Sequence, residues 1–225
     1  MTSEKIEKTR INNRLPVARE GISFILIGAV ITIFSFYFSW LIFGCVMLVM
    51  TLFTVYFFRD PERYRDCMTE EILSPADGRI IKIEELEDSS NPLNGPGIKV
   101  SIFMSVFNVH VNRIPVNGQI EKISYNPGRF FSANLDKASE QNESNCLSLI
   151  TENGKRIAFV QIAGLIARRI VCWIGEQDRV KAGQRFGLIR FGSRLDVYLP
   201  QGSKVLIGLS DRVSAGETIL GNLPE

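Results

Sequence analysis

The stretch Gly187-Leu-Ile-Arg-Phe-Gly-Ser-Arg-Leu-Asp-Val-Tyr-Leu-Pro200 places a Gly-Ser pair between two short apolar runs. The runs predict two short strands, and the Gly192-Ser193 pair predicts a kink between them. Glycine reaches unusual backbone angles easily because it has no Cβ atom, so the Gly192 carbonyl can turn towards the Ser193 hydroxyl. Gly-Ser is also a common turn pair, and by itself it indicates only a turn.

Strand and turn patterns continue through the chain from about Leu73. Further short segments are β-branched or alternate apolar with polar residues, with Gly, Pro or Asn between them. These segments are residues 98–103, 157–162, 195–199 and 204–207. Helix patterns are scarce here, and residues 132–139 are the best candidate for a short helix. The sequence therefore predicts a mainly β fold of the α+β class.

Two internal repeats organise the same part of the chain. Pro75-Ala-Asp-Gly-Arg-Ile80 recurs as Pro115-Val-Asn-Gly-Gln-Ile120, and Asp178-Arg-Val-Lys-Ala-Gly183 recurs as Asp211-Arg-Val-Ser-Ala-Gly216. Two pairs are too few for a solenoid, so we predict pseudo-symmetric β-hairpins in which the Ala-Gly steps are repeated turns. The segment Val213-Ser-Ala-Gly-Glu-Thr-Ile-Leu220 is also similar to a strand turn of biotinyl/lipoyl-type barrel-sandwich domains, which is a likeness of fold alone.

A long run without charged residues extends from Gly21 to Phe58. It is too long for one membrane span of about 20 residues and suits two short spans with a turn at residues 35–40. Basic residues flank both ends: Lys5, Lys8, Arg10, Arg14 and Arg19 before the run, and Arg59, Arg63 and Arg65 after it. The positive-inside rule therefore predicts a helical membrane hairpin with both ends in the cytosol. A buried hairpin of a soluble protein is the alternative.

This pattern divides the chain into a basic cytosolic tail (1–20), a hydrophobic hairpin (21–58) and a domain (59–225) on the cytosolic face of the cell membrane. The net charge of +2 and the scattered basic residues argue against a nucleic-acid partner. The four cysteines have no metal-like spacing, so we expect reduced thiols and no metal site.

Two side chains are candidates for proton transfer. His110, in Phe107-Asn-Val-His-Val-Asn-Arg-Ile-Pro115, is the only histidine, so any imidazole chemistry must use it. Asp77, in Ser74-Pro-Ala-Asp-Gly78, could orient that base, since a serine nucleophile needs a base and the base needs an orienting group. The alternatives are a histidine packed in a strand and a turn aspartate.

Seven motifs occur in order between Phe57 and Arg194, and together they resemble the short, archaeal/bacterial-type form of the pyruvoyl-dependent phosphatidylserine decarboxylase proenzymes. The motifs are Phe57-Phe-Arg-Asp-Pro-Glu62, Ser74-Pro-Ala-Asp-Gly78, Phe107-Asn-Val-His-Val-Asn-Arg113, Pro127-Gly-Arg-Phe130, Asp136-Lys-Ala-Ser-Glu140 with Asn142, Glu143 and Asn145, Gly164-Leu-Ile-Ala-Arg168, and Arg190-Phe-Gly-Ser-Arg194. Any one of them would be weak alone. Their order along most of the chain makes the resemblance specific.

The resemblance implies a zymogen that cleaves itself between Gly192 and Ser193. A larger chain, 1–192, would then stay with a smaller chain, 193–225, that begins with a covalent pyruvoyl group derived from Ser193. This cofactor would form a Schiff base with phosphatidylserine in the bilayer and release phosphatidylethanolamine, which is carboxy-lyase chemistry of phospholipid biosynthesis. The resemblance also implies catalytic roles for His110 and Asp77.

One position departs from the family pattern. Longer members carry a second histidine where this chain has Arg113. His110 would then serve both self-cleavage and decarboxylation, or Arg113 would hold a carboxylate or phosphate of the substrate. Both alternatives stay open from the sequence.

The alternative function is a membrane-anchored carrier or scaffold module of the biotinyl/lipoyl type that is not cleaved. A carrier needs an exposed lysine at a hairpin tip, and Lys181 is the candidate. The sequence leaves the oligomeric state open, a homo-oligomer included.

Overall fold

A computed structural model describes residues 15–66, 68–87, 91–129, 131, 141–165, 169–190 and 192–224. Its contacts divide the chain into two compact units, with the boundary between Glu62 and Arg63. The helix predicted at 132–139 and most of the basic tail lie outside the described residues, as do the parts of the family motifs at 130, 136–140, 166–168 and 191.

The first unit contains two antiparallel helices, α1 (Arg19–Tyr37) and α2 (Leu41–Phe57). The turn between them falls inside the segment predicted for it, where Trp40 N–H donates to the Ser35 carbonyl at 2.9 Å and Ser39 has a φ of 59°. The helices pack closely at Gly28, because a Cβ there would lie 2.6 Å from Thr51 Oγ1. A small residue at this position therefore sets the close approach of the two helices.

Most large apolar side chains of this hairpin are exposed. Ile33 is 66% exposed and Ile42 is 86% exposed, although neither carries a polar atom in its side chain. By length and composition, α1 is the one helix in the described chain that is long and apolar enough to cross a membrane, and α2 is a shorter apolar helix. Such a helix also occurs in proteins that do not span membranes, so it supports membrane association only weakly.

The second unit is built from β-strands, which confirms the predicted mainly β class. The strands are β1 (Glu71–Leu73), β2 (Gly78–Leu86), β3 (Gly97–Met104), β4 (Val111–Arg113), β5 (Gly118–Asn126), β6 (Ser144–Ile150), β7 (Arg156–Ala163), β8 (Ile170–Cys172), β9 (Arg179–Val180), β10 (Arg185–Ile189), β11 (Ser193–Pro200), β12 (Lys204–Val205), β13 (Arg212–Val213) and β14 (Ile219–Asn222). The two runs that flank Gly192 in the sequence are β10 and β11.

The largest sheet has the strand order β13-β2-β3-β11-β7-β6-β5-β9 and curls into a half-barrel. Two three-stranded sheets, β1-β14-β12 and β4-β10-β8, accompany it. Strand β11 lies near the middle of the large sheet, antiparallel to β3 on one side and to β7 on the other. Its apolar residues Leu195, Val197 and Leu199 are fully buried, as expected for a strand paired on both edges.

The two halves of the large sheet repeat each other. Gly78 pairs with Val213 where β2 meets β13, and Gly118 pairs with Val180 where β5 meets β9. Both long strands carry a bulge at the corresponding place, after Ile80 and after Ile120. The predicted pseudo-symmetric hairpins are therefore confirmed.

The repeat extends to individual side chains. Asp77 Oδ1 accepts a hydrogen bond from the Ala215 N–H at 2.8 Å, and Asn117 Oδ1 accepts one from the Ala182 N–H at the same distance. Both acceptors sit just before a long strand, and both donors sit in an Ala-Gly turn. Asp77 therefore stabilises its turn in the same way as Asn117 stabilises the equivalent turn.

Candidate active site

The predicted cleavage point lies at the kink between β10 and β11. Gly192 has a φ of +65°, in the left-handed region that glycine adopts easily and other residues rarely do. Among the described residues, and apart from the two chain neighbours of Gly192, no heavy atom lies within 4 Å of the position that a Cβ on Gly192 would occupy. The unusual backbone angle expected at Gly192 is therefore present.

Ser193 begins β11 and is fully buried. It pairs with Met104 of β3 on one side and with Ala163 of β7 on the other. Its Oγ donates a hydrogen bond to Met104 Sδ at 3.4 Å. A thioether is a weak acceptor and not a base, so the hydroxyl is held in place without being activated.

His110 is buried just before β4. Its Nδ1 lies 2.9 Å from the Asn108 carbonyl oxygen. Because a carbonyl only accepts, this contact favours the tautomer with the proton on Nδ1, which leaves Nε2 with the lone pair that can take a proton. Strand β4 pairs with β10, and the Ile189 N–H donates to the His110 carbonyl at 3.4 Å, so the backbone of His110 lies beside the end of β10.

The partners of the Asp77 carboxylate are a guanidinium and a backbone amide. Within the described chain, this carboxylate accepts hydrogen bonds from the Arg63 guanidinium, through Nη1 and through Nη2 at 2.9 Å, and from the Ala215 N–H. Arg63 Nη1 also donates to the Ala215 carbonyl at 2.9 Å. The carboxylate is thus bound to a guanidinium and a backbone amide rather than to an imidazole.

Arg113 belongs to the same neighbourhood as Asp77. It is buried, its Nη1 donates to the Gly183 carbonyl at 2.8 Å, and its Cδ would lie 2.8 Å from a Cβ on Gly216. The side chain therefore runs between the two repeated Ala-Gly turns. These contacts link Asp77 and Arg113 to the Ala-Gly turns, and they link the backbone of His110 to the end of β10, which precedes Gly192 and Ser193.

Sequence analysis missed several residues around these positions. Arg63 was counted with the basic flank of the hairpin, yet its partners Asp77 and Ala215 lie 14 and 152 positions further along the chain. The buried residues Asn112 and Asn145 belong to the family motifs but received no predicted role, and Gln161 was not singled out. Gln161 interrupts the apolar run 157–162, and a polar side chain inside a buried strand was the available indication.

A buried ion pair follows Ser193 directly. Arg194 Nε donates to Asp196 Oδ1 at 2.6 Å, and Arg194 Nη2 donates to Ser101 Oγ of β3 at 2.8 Å. The side chains of Arg194 and Asp196 are 1% and 0% exposed. The contact with Ser101 joins the beginning of β11 to β3.

The described residues give one observation on a cysteine and one on metal ligands. Burial raises the pKa of the Cys146 thiol to about 11, so this thiol is protonated at neutral pH and is a poor nucleophile. The described residues contain no cluster of three or more His, Cys, Asp or Glu side chains that could hold a metal ion.

Comparison with known proteins identifies the family. The model of the phosphatidylserine decarboxylase family matches residues 50–221. The chain belongs to this family. It is 54% identical over 208 residues to the phosphatidylserine decarboxylase proenzyme of Syntrophus aciditrophicus (strain SB). The aligned region covers 91% of this chain and 96% of the relative.

Other relatives carry the same name. The proenzyme of Desulfotalea psychrophila is 50% identical over 210 residues, or 93% of this chain and 98% of the relative. The proenzyme of Rickettsia bellii (strain OSU 85-389) is 47% identical over 211 residues, which are 92% of this chain and 90% of the relative. The resemblance stated from the motifs is confirmed, and the chain is a member of a decarboxylase family whose relatives are named as proenzymes. The carrier alternative built on Lys181 has no support from these matches.

Proposed function

We propose that this chain is a proenzyme that cleaves itself between Gly192 and Ser193 and then decarboxylates phosphatidylserine to phosphatidylethanolamine. The observation that carries the proposal is the pairing of a left-handed Gly192 with a buried Ser193 hydroxyl, in a chain whose relatives are proenzymes. The pyruvoyl group derived from Ser193 would supply a ketone that can condense with the substrate amine and an electron sink for the decarboxylation.

The self-cleavage balances without any external reagent except water. Ser193 Oγ attacks the Gly192 carbonyl carbon and the C–N bond breaks, which leaves an ester and a free amine. Loss of the Ser193 Cα proton then breaks the Cβ–Oγ bond, and the oxygen departs with the Gly192 carboxylate. Water finally replaces the amine, which leaves as ammonia, and residue 193 becomes the ketone.

The environment of residue 193 suits such a group. The position is fully buried, so a reactive ketone there would be shielded from bulk water. We assign to His110 Nε2 the proton transfers of both stages, because the hydrogen-bonding arrangement at Nδ1 leaves Nε2 able to accept. Removal of the proton from Ser193 Oγ would also detach the hydroxyl from Met104.

Asp77 and Arg113 act through the fold in this proposal. Asp77 holds Arg63 and the Ala215 N–H, and Arg113 holds the turn at Gly183. Ala215 belongs to the smaller chain, 193–225, whereas Asp77 and Arg63 belong to the larger chain, 1–192. Asp77 is therefore a positioning residue that joins the two cleavage products, and a contact of Arg113 with a substrate carboxylate or phosphate stays a weaker proposal.

The two products would remain associated after the cut. Strand β11 of the smaller chain is hydrogen-bonded along its length to β3 and β7 of the larger chain, and β14 pairs with β1. Cleavage and conversion remove the N–H of residue 193, and the ladders from Arg194 onwards remain.

We also propose the division of the chain into a cytosolic tail (1–20), a membrane hairpin (21–58) and a catalytic domain (59–225) on the cytosolic face of the cell membrane. The exposed apolar side chains of α1 and α2 and the flanking basic residues support it. A membrane attachment suits an enzyme whose substrate is a lipid of the bilayer.

An intact-mass measurement on the purified full-length protein tests the proposal. The wild type should give two chains divided at 192/193, whose masses together equal the uncut chain plus water minus ammonia. The smaller chain should resist Edman degradation and react with a carbonyl reagent. Ser193→Ala should remain uncut and should not decarboxylate phosphatidylserine in mixed micelles; full activity of uncut Ser193→Ala would overturn the proposed chemistry.

A further inference from the structure

The end of the large sheet that carries Ser193 presents two large apolar side chains to solvent. Strand β3 ends at Met104 and β7 ends at Ala163, and both residues pair with Ser193. The segments that follow these two strands therefore leave the sheet at the level of the proposed cut. Phe107 in the first segment is 62% exposed, and Leu165 in the second is 66% exposed.

A hydrogen-bonded turn attaches Phe107 to the candidate proton-transfer residue. Asn108 Oδ1 accepts from the Ser105 N–H at 2.9 Å and from the Ser105 hydroxyl at 2.7 Å, and the Asn108 N–H donates to the Ser105 carbonyl at 3.0 Å. Phe107 lies inside this closed turn, directly before Asn108. The Asn108 carbonyl oxygen also lies 2.9 Å from His110 Nδ1. The residue that follows the exposed ring therefore holds the imidazole.

Exposed basic side chains occur at the same end of the sheet. Arg129 follows β5, and its carbonyl accepts from the N–H of Glu143, whose own carbonyl accepts from the N–H of Ala163. Arg169 precedes β8, and its carbonyl accepts from the Arg190 N–H at 3.3 Å, just after β10. Both Arg129 and Arg169 are exposed, whereas Glu143 is 6% exposed.

These segments form a rim around the proposed cut. The rim consists of the described residues 105–109, 125–129, 141–143, 164–165 and 169. Its exposed side chains include Tyr125, at 57%, besides Phe107 and Leu165. Its only exposed charges, within these described residues, are the two arginines. The rim is therefore apolar, aromatic and positively charged.

Two turns at the opposite end of the same strands have a different composition. The turn between β6 and β7 reads Thr151-Glu-Asn-Gly-Lys155, and the turn after β11 reads Gln201-Gly-Ser203. Neither contains a large apolar residue. Single exposed apolar residues are common on protein surfaces, but those of the rim coincide with positive charge at the level of residue 193. Aromatic and basic side chains together suit the interface of an anionic bilayer.

We propose that the rim lies against the surface of an anionic lipid bilayer, with Phe107 and Leu165 among the lipids and with Arg129 and Arg169 at the phosphates. This inference rests on the proposed function, which brings a bilayer lipid to residue 193. Exposure of acyl chains to water is unfavourable. A site that opens onto the bilayer can bind the head group while the chains remain in lipid.

The first test locates the rim by tryptophan fluorescence in the full-length protein. Because the proposed hairpin would keep every variant at the membrane, the measurement must report the position of the rim and not binding. Vesicles of brominated phosphatidylcholine and phosphatidylglycerol are used, since neither lipid is the proposed substrate. After subtraction of the wild-type signal, the emission added by Phe107→Trp or Leu165→Trp should shift to shorter wavelength and be quenched by bromine.

Leu209→Trp is the matched control for this test. Leu209 is 64% exposed, close to the value for Leu165, but it lies in the loop before β13, at the edge of the large sheet and outside the rim. The emission that it adds should not be quenched. Unquenched emission from both Phe107→Trp and Leu165→Trp would overturn the inference, as would equal quenching of Leu209→Trp.

The second test separates membrane contact from damage to the site. Phe107→Ser should raise the KM for phosphatidylserine in vesicles roughly tenfold or more, because it removes the burial of one aromatic ring in lipid. It should leave turnover of a dispersed short-chain phosphatidylserine unchanged, and Leu209→Ser should change neither value. Equal losses of Phe107→Ser on both substrates would mean that the ring acts through the His110 turn, and would overturn the inference.

The charges of the rim are tested by salt. The double variant Arg129→Gln with Arg169→Gln should raise the KM for vesicles about tenfold at low salt and much less at high salt, where surface charges are screened. Arg212→Gln removes an exposed arginine outside the rim and should have no such effect. An unchanged KM of the double variant at low salt would contradict the assigned contact with phosphates.

Failure of this inference is distinguishable from failure of the proposed function. Quenching requires no chemistry, so Phe107→Trp should be quenched equally in the Ser193→Ala background. An uncut, inactive wild type with a quenched rim would overturn the proposed function alone. A cut, active enzyme with an unquenched rim would overturn the inference alone. An unquenched rim whose Phe107→Ser variant loses a dimer in detergent would assign the surface to a second copy of the chain and would also overturn it.

Discussion

Replacement of Gly192 by alanine isolates the contribution of one backbone angle. Gly192 has a φ of +65°, and an added Cβ would meet no heavy atom of the other described residues within 4 Å, its two chain neighbours aside. The penalty that these observations give is conformational, roughly 1–2 kcal/mol for an L-residue in the left-handed region. This corresponds to a population of the left-handed geometry lowered about 5- to 30-fold. If the Gly192 carbonyl must adopt this geometry to meet Ser193 Oγ, self-cleavage of Gly192→Ala should slow by that factor.

The assay is a time course of the uncut and cut chains by intact mass after cell-free synthesis into vesicles. Gly154→Ala is the matched control, because Gly154 has a φ of +74° and an equally open Cβ position but lies in the turn between β6 and β7. It should be cleaved at the wild-type rate, and Gly192→Asn should be intermediate, since asparagine tolerates positive φ better than alanine. Wild-type cleavage of Gly192→Ala, or equal slowing in Gly154→Ala, would refute the role assigned to this angle.

Further predictions concern the other site residues and the hairpin. Ser193→Thr and Ser193→Cys should retain slow cleavage by intact mass, since each keeps a nucleophile; complete loss in both would show that the pocket tolerates only serine. His110→Ala should impair cleavage, decarboxylation or both at least a hundredfold, and normal rates in both assays would return His110 to a packing role. Asp77→Asn should keep the Ala215 hydrogen bond, as Asn117 does at the equivalent turn, but weaken the hold on Arg63. The two cleaved chains of that variant should separate at lower urea concentration, and the reverse change Asn117→Asp should leave their separation unchanged if charge at the Asp77 position is what matters. Reporters fused to the N-terminus and after Arg65 should both indicate the cytosol; opposite sides would mean a single crossing.

Local patterns in the sequence were sufficient for the architecture. The two repeated Asp-Arg-Val-x-Ala-Gly motifs form equivalent turns in the structure. The short alternating segments of the sequence predict the mainly β class. The positive φ of Gly192 was also predictable, because it depends on one residue and its neighbours. Such features are encoded within a few positions, where intrinsic backbone preferences act directly.

The partners of the site residues were not predictable in this way. The sequence offers Asp77 as an orienting group for a histidine or as a turn aspartate, and it gives no indication of the contacts with Arg63 and with the Ala215 N–H, 138 positions away. The contact of Asn112 with Gln161 spans 49 positions. Which strands become neighbours in a curled sheet decides these contacts, and a single sequence does not specify that order.

The position of the proposed cut in the sheet explains how one strand can serve both folding and chemistry. An edge strand with a free end would be prone to fraying, but β11 is paired on both sides from its first residue. The Arg194–Asp196 pair and its contact with Ser101 add charged hydrogen bonds immediately after that residue. Removal of one buried partner of such a pair is strongly unfavourable, so the new chain end has little freedom to withdraw from the sheet. The residue that would become the ketone is paired with Met104 and Ala163 before cleavage, and the ladder that continues from Arg194 would keep it at that end of β11 afterwards. A self-cleaving enzyme requires this property, because the group produced by the cut must remain where the cut was made.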